Sequence, residues 1–310
     1  MSPERTQPSA AAGWSAGDAE RYLLGLELFG MRFGLSRMRR LMAVLDAPNE
    51  RFESIHVVGS NGKSSTTRMI AALLERHGVA SGAYTSPHLI SFAERIQVGG
   101  ADVSAERFAA AVARAARAAA VVDRTRADED DRVTQFEALT AAAYAELAAA
   151  GVAAAAVEAG LGGRYDATNV IESKVQVLTN IGLEHTRWLG PTISDIAAEK
   201  LDVVRPGGVL VLGPDLHPDA AAVAHRVAGE RGASVVLAPA DIPESRLLRT
   251  RGAYQRRNLA VAATAAAAFL ERPLDPAAVA DVAAELVVPA RFPVFDGTAR
   301  PVEVLDSSQN

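Results

Sequence analysis

A glycine-rich turn that could bind phosphate follows an apolar, β-branched run in the first quarter of the chain. The turn reads Gly59-Ser60-Asn61-Gly62-Lys63-Ser64-Ser65, and a helix-like segment begins at its end. Two glycines permit backbone conformations in which successive N–H groups point inward and form a nest for an anion. The helix N-terminus, the Lys63 ammonium and a serine hydroxyl near Mg²⁺ would add to the attraction. Because Val57 replaces the first glycine of G-x-x-x-x-G-K-[ST], an ordinary strand-to-helix turn stays open as the alternative.

Other chemically active side chains follow predicted strands or lie in a helix. Glu158 ends a buried run, and a carboxylate at a strand's carboxyl end suits Mg²⁺, with capping of a neighbouring helix as the alternative. Tyr165 occupies the third glycine position of a dinucleotide fingerprint, which argues against that cofactor. Arg164 could meet a phosphate or a carboxylate. A lone histidine such as His185 is more often structural than a ligand, and a helical lysine such as Lys200 more often lies at the surface.

A further loop, "AYTSPHLISFAERI" at residues 83–96, follows the second predicted strand. Ser86-Pro87-His88 interrupts the strand, and Glu94-Arg95 returns to polar residues. Such a loop at the carboxyl edge of a sheet either holds substrate or is a simple turn. The residues alone leave both interpretations open.

The intervening segments predict the elements that position these residues. Short β-branched or alanine-rich runs alternate with amphipathic helical segments, which indicates an α/β protein with a mainly parallel sheet and helices on both faces. We expect a flexible N-terminal extension over residues 1–17 and one α/β domain over residues 18–290. Residues 291–310 predict two strands that begin a second, incomplete α/β domain.

Bulk composition limits the classes of function. The 310 residues include no cysteine, which excludes disulfides, thiolate metal sites and cysteine nucleophiles. The net charge of −5 gives no bias toward nucleic acid or acidic membranes. No uncharged apolar run reaches the roughly 20 residues of a membrane span, and the N-terminus lacks a signal-peptide core. We expect a cytoplasmic monomer whose partners are small molecules, not nucleic acid or membrane.

Taken together, the segments resemble the folylpolyglutamate synthase/dihydrofolate synthase family, which are ATP-dependent amide ligases of the Mur ligase type. The resemblance runs from about Tyr22 to Arg291. The segments that carry it occur in the family's order: "FGLSRM", "GSNGKSS", "YTSPHLISFAERI", "TQFEALTAAAYA", "VEAGLGGRYDATN", "IGLEHTRWLGPTISDIAAEK" and "YQRRNLAVA". It implies that the predicted sheet is the P-loop-type central domain of a Mur ligase.

The resemblance also implies roles that spacing alone leaves open. The implied catalytic residues are Lys63, His185 and Lys200. The implied ATP-binding residues are Gly59, Ser60, Asn61, Gly62, Lys63, Ser64, Ser65, Gln255, Asn258 and Arg291. The implied substrate-binding residues are Thr85, Ser86, Pro87, His88, Arg95 and Arg164. The implied Mg²⁺ ligands are Ser65, Glu158 and His185, with a second cation, Mg²⁺ or K⁺, near a carbamylated Lys200.

The implied reaction joins L-glutamate to dihydropteroate, to a folyl-polyglutamate, or to both, at the expense of ATP. The acceptor carboxylate attacks the γ-phosphate and forms an acyl phosphate, which the glutamate amine then converts to an amide. Two alternatives remain. One is a Mur-type ligase with a different carboxylate acceptor, and the other is a truncated or degenerate nucleotide-binding paralogue without ligase activity.

Several positions depart from the family pattern. The phosphate loop of the family reads G-T-N-G-K-G-S, so Ser60 replaces threonine and Ser64 replaces glycine. Asp202 places a carboxylate near the position of the expected carbamate. A later D-G-A-H-N-P motif is matched only by Asp306-Ser307-Ser308-Gln309-Asn310, and we expect these 310 residues to contain only the first strands of the family's C-terminal domain. We therefore expect weak nucleotide binding and slow or absent turnover from this chain alone.

Overall fold

The computed structural model describes residues 13–26, 34–125, 132–249 and 252–287. Eight strands form one sheet in the spatial order β4-β3-β2-β5-β1-β6-β7-β8. The strands are β1 (Glu53–Val58), β2 (Ser81–Tyr84), β3 (Ile96–Val98), β4 (Ala101–Asp102), β5 (Ala154–Glu158), β6 (Val175–Leu178), β7 (Val209–Leu212) and β8 (Ser234–Leu237). All neighbouring pairs are parallel except β2–β3 and β3–β4. The expected mainly parallel α/β sheet is confirmed.

Helices cover both faces of this sheet. They are α1 (Ala16–Leu24), α2 (Ser36–Val44), α3 (Lys63–Arg76), α4 (Ala105–Arg124), α5 (Gln135–Ala149), α6 (Thr186–Leu189), α7 (Ile193–Leu201), α8 (Pro218–Arg231), α9 (Ala253–Leu270) and α10 (Pro276–Glu285). One face packs against α3, α9 and α10, and the other against α1, α2, α4 and α5 at one end and α7 and α8 at the other. No helix in the described ranges is long and apolar enough to cross a lipid bilayer.

The alanine-rich strand β5 shows why these strands read as continuous apolar runs. Ala154 and Ala156 pack toward α3 and α9, whereas Ala155 and Val157 pack toward α4 and α5. Successive side chains of a strand point to opposite faces, so a strand covered on both faces needs apolar residues at every position. The polar residue Glu158 follows at the end of the strand, where the sheet stops.

The antiparallel hairpin β3–β4 is a feature that the sequence analysis did not identify. Gly99 and Gly100 connect its strands, and both have positive φ, 60° and 79°. Two-residue turns with positive φ match the twist of a hairpin, and a Gly-Gly pair between short strands is a signal for one. The hairpin extends the sheet at the edge where the Ser86–Pro87–His88 loop returns.

Helix α5 is held by a buried ion pair. Thr134 caps its N-terminus, and the Glu137 carboxylate accepts a hydrogen bond from the Thr134 backbone N–H. Arg37 Nε donates to both oxygens of the same carboxylate, at 3.1 Å to Oε1 and 3.2 Å to Oε2. Arg37 lies on α2, so the pair connects two helices on one face of the sheet. Both side chains are almost fully buried, so the Glu137 carboxylate depends on Arg37 for its charge compensation.

The predicted domain boundaries are only partly covered by the described residues. Helix α1 begins at Ala16 with Ser15 as its N-cap, two residues before the expected boundary at residue 18. The predicted strands at 291–310 and the ATP-binding candidate Arg291 lie outside the described residues.

Candidate nucleotide and metal site

The phosphate loop has the backbone that the sequence predicts for an anion nest. Gly59 and Gly62 have φ of 146° and 80°, and Gly62 directly precedes helix α3. A Cβ atom on Gly59 would lie 2.0 Å from Thr179 Oγ1, and one on Gly62 would lie 2.4 Å from Asn258 Oδ1. Both positions therefore require glycine for space as well as for conformation. The loop leads directly into the N-terminus of α3, where no side chain caps the first turn and its N–H groups are available for an anion.

Residues just after β6 hold this loop in place. Thr179 Oγ1 donates to Asn61 O at 2.7 Å, and Asn180 accepts from Ser60 N at 3.0 Å and from Asn61 N at 2.8 Å. Gly182 N donates to Ser60 Oγ at 2.9 Å. The sequence analysis did not identify Thr179 and Asn180. Their position at the carboxyl end of a strand was the available signal, but the pairing of β6 with β1 is visible only in the fold.

Two lysine ammonium groups converge on one carbonyl oxygen of the loop. Lys63 Nζ donates to Gly59 O at 3.0 Å and to Ser60 O at 3.1 Å. Lys200 Nζ donates to Gly59 O at 2.9 Å and forms an ion pair with Glu184 Oε1 at 3.0 Å. Lys200 is buried, so the surface position suggested by its helix alone is wrong. Burial and the nearby Lys63 charge lower the pKa of Lys200 to about 8, against the opposing effect of Glu184.

The Glu158 carboxylate lies beside the start of α3 and is buried. Its Oε1 accepts from Ser64 Oγ at 2.9 Å, and its Oε2 accepts from Ser86 N at 2.9 Å. Burial raises the pKa of Glu158 to about 7, although Lys63 and these hydrogen bonds favour the charged form. The carboxylate thus connects the phosphate loop to the loop that contains Ser86.

Helix α9 contributes two amides on the other side of the loop. Gln255 Nε2 donates to Ser65 Oγ at 3.3 Å, and Asn258 Nδ2 donates to Gln255 Oε1 at 3.1 Å. Gln255 and Ser65 are both buried. The structure therefore brings Gln255 and Asn258 to the phosphate loop, about 190 residues further along the chain than Ser65.

His185 stands apart from this hydrogen-bond network. It precedes α6 in the left-handed conformation, with φ of 46°, and its side chain is exposed. Within the described part of the chain, its side chain makes no hydrogen bond. The same residues contain no group of three or more His, Asp or Glu placed to hold a metal ion. A cation beside Glu158 would therefore take part of its coordination from hydroxyl, phosphate or water oxygens, which Mg²⁺ accepts.

The loop after β2 brings its predicted substrate residues together. A cis peptide bond joins Ser86 to Pro87, and Thr85 N donates to Arg95 O at 2.8 Å. Arg95 Nε donates to His88 Nδ1 at 2.9 Å. The His88 ring lies 4.2 Å from the Phe92 ring, centroid to centroid. The loop is therefore an ordered structure whose start contacts Glu158.

Arg164 is already paired with carboxylates of helix α7 and its C-terminus. Its Nε lies 3.7 Å from Glu199 Oε2 and 3.6 Å from Asp202 Oδ2. Asp202 also accepts from Arg231 at 2.7 Å. These cations compensate Asp202, whereas Lys200 pairs with Glu184.

A buried polar network supports the loop that follows Glu158. Asp166 accepts from Leu161 N at 2.8 Å and from the Thr168 hydroxyl. Thr168 Oγ1 lies 2.8 Å from His56 Nε2 on β1. Since the Thr168 hydroxyl hydrogen is used on Asp166, Nε2 of His56 carries the proton and donates. His56 Nδ1 is buried and has no hydrogen-bond partner among the described residues.

Comparison with known proteins identifies the family and several relatives of this chain. The Mur ligase middle domain family matches residues 57–220, more than half of the 310 residues. The chain is 40% identical over 191 residues to the dihydrofolate synthase/folylpolyglutamate synthase of Bacillus subtilis, covering 61% of this chain and 44% of the relative. It is 33% identical over 301 residues to the folylpolyglutamate synthase of Lacticaseibacillus casei, covering 88% of this chain and 69% of the relative.

A solved structure supports the same relationship. Mycobacterium tuberculosis folylpolyglutamate synthase complexed with ADP superposes with a TM-score of 0.81 at 31% identity, over 89% of this chain and 66% of that one. This chain thus spans less than half the length of the Bacillus relative and about two thirds of the other two proteins. The chain belongs to the Mur ligase family, in its folylpolyglutamate synthase/dihydrofolate synthase branch.

Proposed function

We propose that this chain carries the nucleotide site of an ATP-dependent ligase that adds L-glutamate to dihydropteroate, to a folyl-polyglutamate, or to both. The observation that carries the proposal is the meeting of the phosphate loop with Glu158 at the N-terminus of α3, where Ser64 Oγ lies 2.9 Å from Glu158 Oε1. An anion nest beside a buried carboxylate suits a triphosphate bound together with a divalent cation.

The loop residues Gly59–Ser65 would bind the phosphates of ATP. Lys63 Nζ now donates to two carbonyl oxygens of its own loop, so binding exchanges these neutral acceptors for charged phosphate oxygens. The Coulomb attraction of the Lys63 ammonium to a negatively charged phosphate oxygen is stronger than its attraction to a neutral carbonyl oxygen, which favours the exchange. Gln255 and Asn258 line the same loop and are the proposed contacts of α9 with the nucleotide.

The donor atoms at the site fit Mg²⁺. Burial raises the pKa of Glu158 to about 7, and a buried carboxylate that ionises at this cost is stabilised by a cation. Ser65 and Glu158 are the residues at the phosphate loop that would hold Mg²⁺, whereas His185, the third ligand that the resemblance implies, stands apart from them. When bound, Mg²⁺ would neutralise charge on the triphosphate.

Lys200 supports the proposal as an unmodified ammonium. Its Nζ lies between Gly59 O and Glu184 Oε1, both of which attract a positive charge. A carbamate at this position would place negative charge against the same two oxygens. The resemblance implies such a carbamate with a second cation, Mg²⁺ or K⁺, but the contacts favour a positioning role for the lysine.

In the proposed reaction, a carboxylate oxygen of the acceptor forms a bond to the γ-phosphorus as the bond to the ADP oxygen breaks. The glutamate amine then attacks the acyl carbon, the C–O bond to phosphate breaks, and the amine loses its proton. Lys63 and the nest amides would hold the phosphate against the approaching carboxylate, since the two anions repel each other. Thr85, Ser86, Pro87, His88 and Arg95 would line the acceptor site next to Glu158, and Arg164 could meet its carboxylates.

Titration with MgADP tests the nucleotide site. Lys63→Ala should lose most of the affinity, whereas Lys174→Ala removes an exposed ion pair with Glu271 and should bind like the wild type. Equal affinity in all three proteins would overturn the proposed site. Release of phosphate from MgATP that requires both dihydropteroate and glutamate would support the ligase. Binding without such release would favour a nucleotide-binding protein that lacks ligase activity.

A further inference from the structure

The Ser64 hydroxyl occupies an oxygen atom of Glu158 that a cation would need. Ser64 Oγ lies 2.9 Å from Glu158 Oε1 and 3.4 Å from Ser86 O. A hydroxyl has one hydrogen to donate, and the shorter contact to a charged acceptor is the stronger one. The hydrogen of Ser64 therefore points at the Glu158 carboxylate.

The carboxylate is not free to turn away from this contact. Its other oxygen, Oε2, accepts from Ser86 N at 2.9 Å, and the whole residue is buried at the end of β5. Rotating Oε1 toward a cation would break the hydrogen bond from Ser64 Oγ and distort the hydrogen bond from Ser86 N. Glu158 is thus held from two sides, by the first turn of α3 and by the loop after β2.

A divalent cation and the Ser64 hydrogen make opposing demands on Oε1. Mg²⁺ binds oxygen at about 2.0–2.1 Å in a near-ideal octahedron and loses its water reluctantly. A hydroxyl hydrogen directed at the same oxygen carries positive partial charge, so it repels an ion that approaches there. The ion therefore binds Oε1 more weakly while this hydrogen bond persists, and displacing the hydroxyl breaks a charge-assisted hydrogen bond.

We propose that the Ser64 hydroxyl competes with a divalent cation for Glu158 and lowers the cation affinity of the nucleotide site. The inference rests on the proposed function, because it takes Glu158 as a cation ligand. Its consequence is that nucleotide binding by this chain depends less on Mg²⁺ than Glu158 alone would allow. The sequence departure at Ser64, where the resembled loop has glycine, is the residue responsible.

The test compares ADP affinity with Mg²⁺ and with EDTA, measured by calorimetry for each protein. Ser64→Ala removes only the hydroxyl, and it should raise the Mg²⁺-dependent gain in ADP affinity by about tenfold, the change that corresponds to about 1.4 kcal/mol. The gain is the ratio of the ADP affinity with Mg²⁺ to the ADP affinity in EDTA for the same protein, so a Mg²⁺-independent effect of the substitution on phosphate binding cancels. Ser64→Thr keeps a hydroxyl and should behave like the wild type, as should the exposed Ser234→Ala on strand β8.

Direct titration with Mn²⁺ in the absence of nucleotide, followed by the loss of the free-ion electron paramagnetic signal, gives a second readout. Tighter Mn²⁺ binding by Ser64→Ala than by Ser64→Thr supports competition. An unchanged or weaker cation response in Ser64→Ala overturns it, even when ADP binds normally. Absence of ADP binding in every protein, with or without Mg²⁺, overturns the proposed function, and the inference fails with it.

Discussion

Acidification should destabilise this protein through His56, a fully buried histidine on the central strand β1. Its Nε2 donates to Thr168, and its Nδ1 has no hydrogen-bond partner among the described residues. Protonation would place an unpaired N–H and a positive charge in the interior near Arg205. Burial, with Arg205 as a smaller cause, lowers the pKa of His56 from 6.5 to about 3.

The sign and size of the effect follow from proton linkage. Below pH 6.5 the unfolded chain binds a proton at His56 that the native protein does not bind until about pH 3, so stability falls as the pH falls through this window. For these two pKa values, the loss between pH 7.5 and pH 5 is about 2 kcal/mol. At pH 4 the loss is about 3 kcal/mol, a large fraction of the ~5–15 kcal/mol that stabilises a typical domain.

Urea unfolding at pH 7.5 and at pH 5 measures this loss directly. His56→Gln keeps a donor for Thr168 and does not titrate, so its loss should be smaller than that of the wild type by about 2 kcal/mol. His225→Gln, an exposed substitution on α8, should leave the wild-type pH dependence unchanged. The reasoning is refuted if wild type and His56→Gln lose equal stability over this pH range.

Two other predictions concern residues at which a substitution would cause a steric clash or leave a buried charge without a partner. Gly59→Ala should abolish ADP binding in calorimetry, since its Cβ would lie 2.0 Å from Thr179 Oγ1 and its φ of 146° disfavours a side chain; wild-type affinity would contradict this. Arg37→Ala should lower the unfolding free energy by about 3–5 kcal/mol, because it leaves the buried Glu137 carboxylate uncompensated. Arg76→Ala, which removes exposed ion pairs, should cost less than ~1 kcal/mol, and equal losses in the two variants would contradict the distinction.

The sequence predicted the sheet, and the edge of the sheet at which the candidate site lies, because short stretches of sequence indicate both features. Apolar runs followed by a polar residue located the ends of β1 and β5, and parallel strands must bring those ends to one edge. The glycines of the phosphate loop predicted a backbone with positive φ, which Gly59 and Gly62 adopt. The hairpin β3–β4 was missed although Gly99-Gly100 is a turn signal, since its strands have only three and two residues.

Contacts between distant segments could not be read from spacing. Thr179 and Asn180 reach the phosphate loop only because β6 pairs with β1, and no local pattern states which strands are neighbours. The partner of Lys200 is Glu184, a residue to which the sequence analysis gave no role. The contact of Ser64 with Glu158 joins positions 94 residues apart and required the fold.

The order of strands has a consequence for how this protein opens. The nucleotide loop and Glu158 extend from β1 and β5, which lie in the interior of the sheet, whereas β8 pairs only with β7 within the described residues. Amide hydrogens of the interior strands should exchange with solvent only through global unfolding, and those of β8 through local fraying. Substitutions or insertions in β8 should therefore leave the positions of the phosphate loop and Glu158 unchanged.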